Sequence, residues 1–484
     1  MAEIKPYIQT LFNAKGIVIS PNRQVLFDDF VKTTECEEAI NSIIEKQNQI
    51  MDTWRIKNRI ADIVTQQIVI PNATIGKHYE ATIDFQQLGL TDLVFRQFEG
   101  LEELGLSFDK VNNKIEGIPL HSGDLKVKLL FKIEGENEVT SPNEKLIPLV
   151  VNPDPKSLWK DIPSDTTDLF WKEDDVSLAD KLGDRNIVVS SKRGRSHKNV
   201  GSFRDDDFAF KYIEQTGWSL VAVSDGAGSY SLSRKGSQLA CNAVVEYFES
   251  YLDKEKSEEF EVKLKEYNSS KDETLLKELE VLAKQNLYKA TVFVHNKIKA
   301  HSEETYISNP ELFTNPKAKT NIDYYHSTFI FALYKKYDFG YVILTFGVGD
   351  CPIAIMNKEQ TETTLLNWLD VGEFGGGTRF ITQADIFHST EHPMATRFNF
   401  KIVPDFSFLF LMSDGIYDPK FVVEANLEKS EKWNEFLEDL QGKNEDNVKV
   451  DFDYSNTEIA SQLSNWMDFW SQGNHDDRTL AIIY

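Results

Sequence analysis

Aspartates recur between residues 205 and 477 at the points where apolar runs begin or end. A single aspartate beside glycine after a strand is usually part of a turn, and aspartate also caps helices. If several strand ends converge, however, the like charges repel one another by several kcal/mol at a low effective dielectric constant. A bound cation would remove that repulsion. The aspartates in question are Asp205, Asp206, Asp207, Asp225, Asp350, Asp414, Asp476 and Asp477.

Carboxylates that are not accompanied by cysteine or histidine select hard divalent cations, Mg²⁺ or Mn²⁺ rather than Zn²⁺. Two such cations a few ångströms apart can share a water molecule, lower its pKa and direct it at a phosphorus centre. The residues alone therefore predict a carboxylate-rich metal site on a β scaffold.

The order of these motifs resembles that of the PPM/PP2C metal-dependent serine/threonine protein phosphatases, over residues 186–484. The bacterial branch is the most similar, because of Arg193 to His197, Gly372 to Phe374 and Thr378 to Phe380. The resemblance implies that a water bridging two divalent metal ions hydrolyses phosphoserine or phosphothreonine. The motifs are Arg204-Asp205-Asp206-Asp207-Phe208, Val223-Ser224-Asp225-Gly226-Ala227, Ser327-Thr328-Phe329, Gly347-Val348-Gly349-Asp350, Met412-Ser413-Asp414-Gly415 and Asp476-Asp477-Arg478-Thr479.

The resemblance also implies roles for individual residues. Asp225 would bridge two Mn²⁺ or Mg²⁺ ions, and Asp350 would help to hold a third, weaker ion. Asp205 stands where the family has Glu or Gln, and Asp477 stands where it usually has Asn, which adds a charge near the site. The expected metal ligands are Asp206, Asp225, the carbonyl group of Gly226, Asp350, Asp414 and Asp476.

The chain departs from the family at the expected general acid and at the phosphate-binding arginine. Ala227 replaces a histidine that many members carry, although bacterial members often lack it too. Arg204 is expected to bind phosphate. Arg193 and Arg195 are also candidates, because the family's arginine normally lies further ahead of the acidic pair than Arg204 does. His197 is expected to act as an acid or phosphate donor, and a structural, hydrogen-bonded histidine is the alternative. The expected catalytic residues are Asp225, Arg204 and His197.

Composition excludes several other classes of function. Lys and Arg total 53 and Asp and Glu total 77, which gives a formal net charge of −24. Binding to nucleic acids or to anionic membranes needs surplus basic residues, so neither partner is expected. We expect a phosphorylated protein substrate and a cognate Ser/Thr kinase pathway. The alternative is a catalytically weak PP2C-fold scaffold or binding module that acts through its N-terminal Ig-like domain.

The compartment is also predicted from composition. Cys36, Cys241 and Cys351 are too few for a disulfide framework or a zinc cluster. No apolar run reaches the ~20 residues that span a bilayer, and the first residues lack the pattern of a signal peptide. A cytoplasmic protein is therefore expected.

The local patterns agree with the fold that the resemblance implies. This is an α+β fold, an αββα sandwich of two antiparallel sheets with helices on the outside. Residues 327–334 and 341–348 predict a hairpin. Helices are predicted over 235–252 and 285–301, and the Lys- and Glu-rich segment 254–282 predicts a solvated helix or a helical insertion.

Composition shifts predict four segments along the chain. Thr34 and Glu37 have the spacing of a capping box. The helix that follows carries apolar residues from Ile40 to Trp54, which predicts docking on its own domain, with a partner-binding helix as the alternative. Leu125 to Ile133 alternate as in a half-buried strand. The segments are an N-terminal helical segment (1–75), an Ig-like or cadherin-like β-sandwich (76–151), a linker (152–180) and a phosphatase domain (181–484) that is expected to turn over without residues 1–150.

Overall fold

The computed structural model describes residues 4–252, 254–370, 377–390, 392–471 and 473–484. Gly372 to Phe374, which contribute to the family resemblance, lie outside the described residues. The chain divides into two compact units, Met1–Leu158 and Trp159–Tyr484. None of the helices in the described ranges combines the length and the hydropathy that crossing a membrane requires.

The described residues of the first unit begin with the helices α1 (Ile4–Ala14), α2 (Gln24–Phe30) and α3 (Thr34–Thr65). The cap of α3 is Thr33, whose hydroxyl group accepts a hydrogen bond from the N–H of Cys36 at 3.3 Å. The capping box predicted at Thr34 is therefore wrong by one residue. Ile40 is buried, whereas Trp54 is 68% exposed, so only part of the predicted apolar face is packed.

The next strands are β1 (Ala73–Thr74), β2 (Tyr79–Thr82), β3 (Leu93–Glu99), β4 (Leu106–Asp109), β5 (Lys114–Gly117), β6 (Gly123–Ile133) and β7 (Asn143–Asn152). They form two sheets with the orders β1-β7-β6-β3 and β2-β5-β4. Val127, Leu129, Phe131 and Ile133 of β6 are buried and their neighbours are not, which confirms the predicted alternating strand. Both sheets contribute to one apolar core. The Ig-like assignment of this unit stays a prediction.

The strands of the second unit are β8 (Asp175–Leu182), β9 (Arg185–Lys192), β10 (Asp207–Ile213), β11 (Trp218–Ser224), β12 (Phe329–Tyr337), β13 (Gly340–Val348), β14 (Ile353–Met356), β15 (Thr363–Leu365), β16 (Phe398–Val403), β17 (Phe408–Met412) and β18 (Arg478–Ile483). They form a sheet with the order β10-β11-β12-β13-β16 and another with the order β15-β14-β17-β18-β9-β8. All neighbours in both sheets pair antiparallel. The predicted hairpin corresponds to β12 and β13.

The helices of the second unit are α4 (Arg195–Val200), α5 (Ser233–Glu246), α6 (Lys254–Ser270), α7 (Glu273–Ser308), α8 (Asp414–Phe421), α9 (Ser430–Leu440) and α10 (Ile459–Trp466). One apolar core joins the β10-containing sheet to α5, α6 and α7, and another joins the β9-containing sheet to α8, α9 and α10. A third core lies between the two sheets. This is the four-layer arrangement that the sequence predicts.

The Lys- and Glu-rich segment 254–282 does not form one helix. Lys271 has a φ of +54°, which ends α6. The side chain of Asp272 then caps α7 by accepting a hydrogen bond from the N–H of Thr274 at 2.7 Å. The helix predicted over 285–301 is the central part of α7, because its apolar positions continue the face that packs in the core.

The predicted boundary after residue 180 falls inside β8, which pairs with β9 along its whole length. The segment before β8 also belongs to the second unit, where Lys172 is only 9% exposed. Its prolines and acidic residues have the composition of a linker. Its hydrogen bonds, which composition does not reveal, attach it to the folded unit.

We expect a protein of residues 159–484 to unfold in one cooperative thermal transition. A protein of residues 181–484 should melt at least ~5 °C lower or be insoluble, because it lacks most of β8 and the buried Lys172. Circular dichroism melts of the two proteins test this. Equal midpoints would show that residues 159–180 add no stability.

Candidate active site

Antiparallel pairing places the acidic motifs at one end of the sandwich. In one sheet β10 begins where β11 ends, since Asp207 pairs with Ser224. In the other sheet β18 begins where β17 ends, since Leu480 pairs with Met412. The residues just before β10 and β18 therefore lie beside those just after β11 and β17.

The two sheets are joined at this end. Thr479 Oγ1, in β18, donates a hydrogen bond to Oδ2 of Asp206, which directly precedes β10, at 2.7 Å. β13 also ends here, because its last residue, Val348, pairs with Phe329 at the start of β12. Asp350 follows two residues later and so reaches the same end of the sandwich.

Two glycines let the loops at this end approach one another. A Cβ atom on Gly415 would lie 1.9 Å from the carbonyl oxygen of Asp477, and one on Gly226 would lie 2.6 Å from that of Asp205. Any other residue at these positions would push the loops apart. The glycine beside each aspartate therefore keeps the acidic motifs close together.

Burial and mutual repulsion raise the pKa values of these aspartates. The pKa of Asp225 lies well above its usual value, because the carboxyl group is buried and because Asp414, Asp206, Asp476 and Asp350 face it. Burial and neighbouring carboxylates also raise the pKa of Asp414, and they raise that of Asp206 to about 7. The structure thus brings together the five carboxylates predicted as metal ligands.

Several oxygen atoms at this end lack a protein partner. Oδ1 of Asp206 and Oδ1 of Asp414 are buried, and no described residue donates a hydrogen bond to them. The backbone bridge at Gly226 uses the carbonyl groups of Asp225 and His326 and leaves out that of Gly226. Buried carboxylate oxygens without donors, in an all-oxygen set, fit a Mn²⁺ or Mg²⁺ site.

A buried ion pair holds the loop that carries Asp350. Asp370 forms a two-pronged ion pair with the guanidinium of Arg397 and accepts a hydrogen bond from the N–H of Gly349 at 2.8 Å. Thr378 Oγ1 donates to Asp350 Oδ2 at 2.9 Å. This support could not be predicted from the sequence, because no pattern links Asp370 to Arg397.

Asp477 ties three segments of the site together. Its carboxylate accepts hydrogen bonds from the N–H of Gly194 at 2.6 Å, from His197 Nδ1 at 2.9 Å and from the N–H of Asp205. Burial opposes ionisation, but His197 and the two N–H groups hold the pKa of Asp477 below its usual value. The sequence predicts only an added charge at Asp477, because the residues that bond to it lie far away in the chain.

His197 carries the compensating positive charge. Its Nε2 lies 3.8 Å from Oδ2 of Asp205. Burial opposes protonation, but Asp477 and Asp205 raise the pKa of His197 to about 10, so the ring is protonated at neutral pH. The ligand atoms of His197, Asp476 and Asp477 lie within 4.8 Å of one another. The predicted acid therefore lies beside the predicted metal ligand Asp476.

The three arginines considered for phosphate binding all donate to protein oxygens. Arg204 is 3% exposed, and its guanidinium donates to three of them, among which the carbonyl oxygen of Asp206 lies at 2.7 Å. Arg193 and Arg195 also donate to backbone carbonyl groups, at 2.8 and 3.0 Å respectively. The contacts of Arg204 hold the Asp206 loop in place, and they leave the predicted phosphate contact of Arg204 without support.

Asp225 is held from the neighbouring strand by Thr328. Thr328 Oγ1 accepts a hydrogen bond from the N–H of Asp225 at 3.0 Å, and the N–H of Thr328 donates to the carbonyl group of Asp225 at 2.8 Å. The N–H of Ala227 donates to the carbonyl group of His326 at 3.0 Å. The Ala227 side chain has no group that could transfer a proton, so it cannot take the role expected of the family's histidine at this position.

A family model described as Protein phosphatase 2C matches residues 193–467, which is more than half of the chain. The chain belongs to this family. No curated protein matches the sequence. The protein phosphatase 2C match ends before Asp476 and Asp477, and it begins after β8. Pairing of β18 with β17 and β9, rather than the family match, therefore places the last acidic motif in the site.

Solved structures of similar proteins share little sequence identity with this member of the protein phosphatase 2C family. A bacterial serine phosphatase is 13% identical over 61% of this chain and 96% of its own, with a TM-score of 0.31. The serine/threonine phosphatase Stp1 from Staphylococcus aureus is 14% identical over 64% and 96%, with a TM-score of 0.33. RsbX, in complex with magnesium, is 11% identical over 64% and 98%, with a TM-score of 0.30. The family assignment rests on the family model.

The substitution Asp225→Asn tests whether Asp225 is a metal ligand or only a turn residue. It should nearly abolish turnover of a phosphoester and remove the thermal stabilisation by added Mn²⁺, because a neutral amide cannot hold two cations together. In chelator the melting temperature should stay the same or rise, because one of the repelling carboxylates is lost. Turnover assays and thermal melts, each with and without Mn²⁺, measure these effects.

Asp338→Asn is the matched control, because Asp338 lies in the exposed turn between β12 and β13. It should leave both turnover and the Mn²⁺ shift intact. Wild-type turnover and a wild-type Mn²⁺ shift in Asp225→Asn would contradict the metal assignment of this motif.

Proposed function

We propose that this protein is a metal-dependent phosphatase that hydrolyses phosphoserine and phosphothreonine in other proteins. The observation that carries this proposal is the meeting of five aspartates from separate strand ends at one end of the sandwich, where they raise one another's pKa values. Membership of the protein phosphatase 2C family supports it. A binding module would have no use for such a cluster of like charges, which argues against the scaffold alternative.

The residues at this end would hold two Mn²⁺ or Mg²⁺ ions, with a third at Asp350. The ions, when bound, would supply Lewis-acid stabilisation of the phosphoryl oxygens and activation of a water molecule. Asp206 and Asp414 each offer a buried oxygen that has no donor among the described residues. The other proposed ligands are Asp225, the carbonyl group of Gly226, and Asp476.

His197 is a group in the site that can supply a proton. Asp477 accepts from Nδ1 and thereby directs Nε2 towards Asp205. With a pKa of about 10 the ring keeps its proton at neutral pH. We assign to Nε2 the proton that the departing serine or threonine oxygen requires, because Ala227 occupies the position where many family members have a histidine.

The partners follow from this chemistry. A serine/threonine phosphatase acts on proteins that a kinase has phosphorylated, so a Ser/Thr kinase pathway would supply its substrates.

Hydrolysis of p-nitrophenyl phosphate and of a phosphothreonine peptide tests the proposal. Both substrates should turn over with Mn²⁺ or Mg²⁺ and should fail to do so with EDTA, because the carboxylates cannot bind phosphate unaided. Activity should return when Mn²⁺ is restored. Full activity in metal-free buffer, or no turnover of either substrate with metal, would contradict the proposal.

His197→Gln tests the proton donor by comparing two leaving groups. The threonine alkoxide needs a proton and p-nitrophenolate does not, so kcat should fall about 100-fold or more on the peptide and much less on p-nitrophenyl phosphate. The second substrate is the internal control for metal binding and folding. An equal loss on both substrates would show that His197 has a purely structural role.

A further inference from the structure

Residues 159–174, here called the strap, contact α4, the first acidic motif (residues 204–208) and the start of α5. The strap lies before the residues matched by the family model and within the second compact unit. The N–H of Ile162 donates to the carbonyl group of Lys198, in α4, at 2.9 Å, and the N–H of Lys160 donates to Asn199 Oδ1 at 3.0 Å. These bonds fix the start of the strap on α4.

Lys172 is the part of the strap that reaches the site. It is 9% exposed, and its ammonium group donates to the carbonyl oxygen of Asp206 at 2.7 Å and to Asp207 Oδ2 at 3.0 Å. The same ammonium donates to the carbonyl oxygen of Arg234 at 3.1 Å and to Ser237 Oγ at 3.3 Å. Lys172 therefore joins the first acidic motif to the start of α5.

The start of α5 also sets the position of the second motif. A Cβ on Gly226 would lie 3.0 Å from the backbone carbon of Ser233 and 2.6 Å from the carbonyl oxygen of Asp205. The loop that carries Asp225 is therefore packed between the first motif and α5. A residue that bonds to both the first motif and α5, as Lys172 does, therefore also affects the spacing of Asp206 and Asp225.

Neighbouring bonds hold the strap itself in this position. Arg204 Nε donates to the carbonyl group of Glu173 at 2.9 Å. Arg234 donates to Asp168 Oδ1 at 2.7 Å and to the carbonyl group of Phe170 at 3.3 Å. Lys172 is thus held from both sides, and its ammonium has little freedom to move away.

We propose that Lys172 is a positioning residue that holds the metal ligands Asp206 and Asp225 at the separation needed to bind divalent cations together. The inference rests on the proposed metal site. It adds to that site a residue outside the family match, which contacts backbone and side-chain oxygens of the first acidic motif and of α5.

A purely electrostatic role and a positioning role of Lys172 predict opposite changes in Mn²⁺ affinity when the lysine is removed. If Lys172 acted only through its charge, its removal would strengthen cation binding, because a nearby positive charge would be lost. If it holds the ligands in place, its removal should weaken binding, as loss of groups that orient metal ligands commonly does. The direction of the change in Mn²⁺ affinity therefore distinguishes the two roles.

The experiment uses Lys172→Met in the full chain. The melting temperature is followed as MnCl₂ is added to chelator-treated protein, and kcat is measured at saturating Mn²⁺. We expect the half-saturating Mn²⁺ concentration to rise about tenfold or more, and kcat at saturation to fall.

Lys192→Met is the matched control. Lys192 is 8% exposed, and its ammonium also contacts a backbone carbonyl group and an aspartate, those of Ser464 at 3.2 Å and Asp468 at 2.8 Å. Lys192→Met should lower stability without changing the half-saturating Mn²⁺ concentration. An equal rise in both variants would show that the effect is a general loss of stability and would overturn the proposal.

Ser237→Ala provides a second variant that removes no charge. Ser237 Oγ donates to the carbonyl oxygen of Asp205 and accepts from Lys172, so this variant loosens the same link and should raise the half-saturating concentration about two- to threefold. If Lys172→Met does not fold, Ser237→Ala by itself tests the positioning role. An unchanged or lower half-saturating concentration in the variants that fold would overturn the positioning role. If wild-type protein itself shows no Mn²⁺ shift, the proposed metal site fails, and this inference fails with it.

Discussion

Repulsion among buried carboxylates is the constraint on which the rest of this structure depends. Asp206, Asp225 and Asp414 all have raised pKa values because they are buried close to other carboxylates. Two unit charges 4 Å apart interact by about 4 kcal/mol at an effective dielectric constant of 20. The folded state can hold such a set only if the scaffold is rigid and if positive charge lies close by.

The sandwich supplies the rigidity. An apolar core between the sheets and one on each outer face keep the strand ends from moving apart. The hydrogen bond from Thr479 to Asp206 then joins the sheets at the acidic end. Because Gly226 and Gly415 leave no room for a side chain, the loops can approach to backbone contact.

The positive charge comes from three different sources. His197 is bonded to Asp477 and keeps its proton. Lys172 and Arg204 donate to the backbone carbonyl group of Asp206, and the carboxylate that Lys172 contacts is that of Asp207, which is not among the proposed metal ligands. Divalent cations would supply the remainder at the oxygens that no described residue contacts.

Features that depend on neighbouring residues follow from the sequence alone. An aspartate beside a glycine at the end of an apolar run is a local pattern, and the alternation of β6 and the β12–β13 hairpin are local too. The order of the motifs was enough for the family. Three contacts became visible only in the folded protein: Asp477 accepts from His197, Arg204 donates to protein oxygens, and Lys172 donates to the carbonyl oxygen of Asp206. Most of these hydrogen bonds join residues far apart in the chain, and such bonds leave no periodicity or composition for sequence analysis to detect.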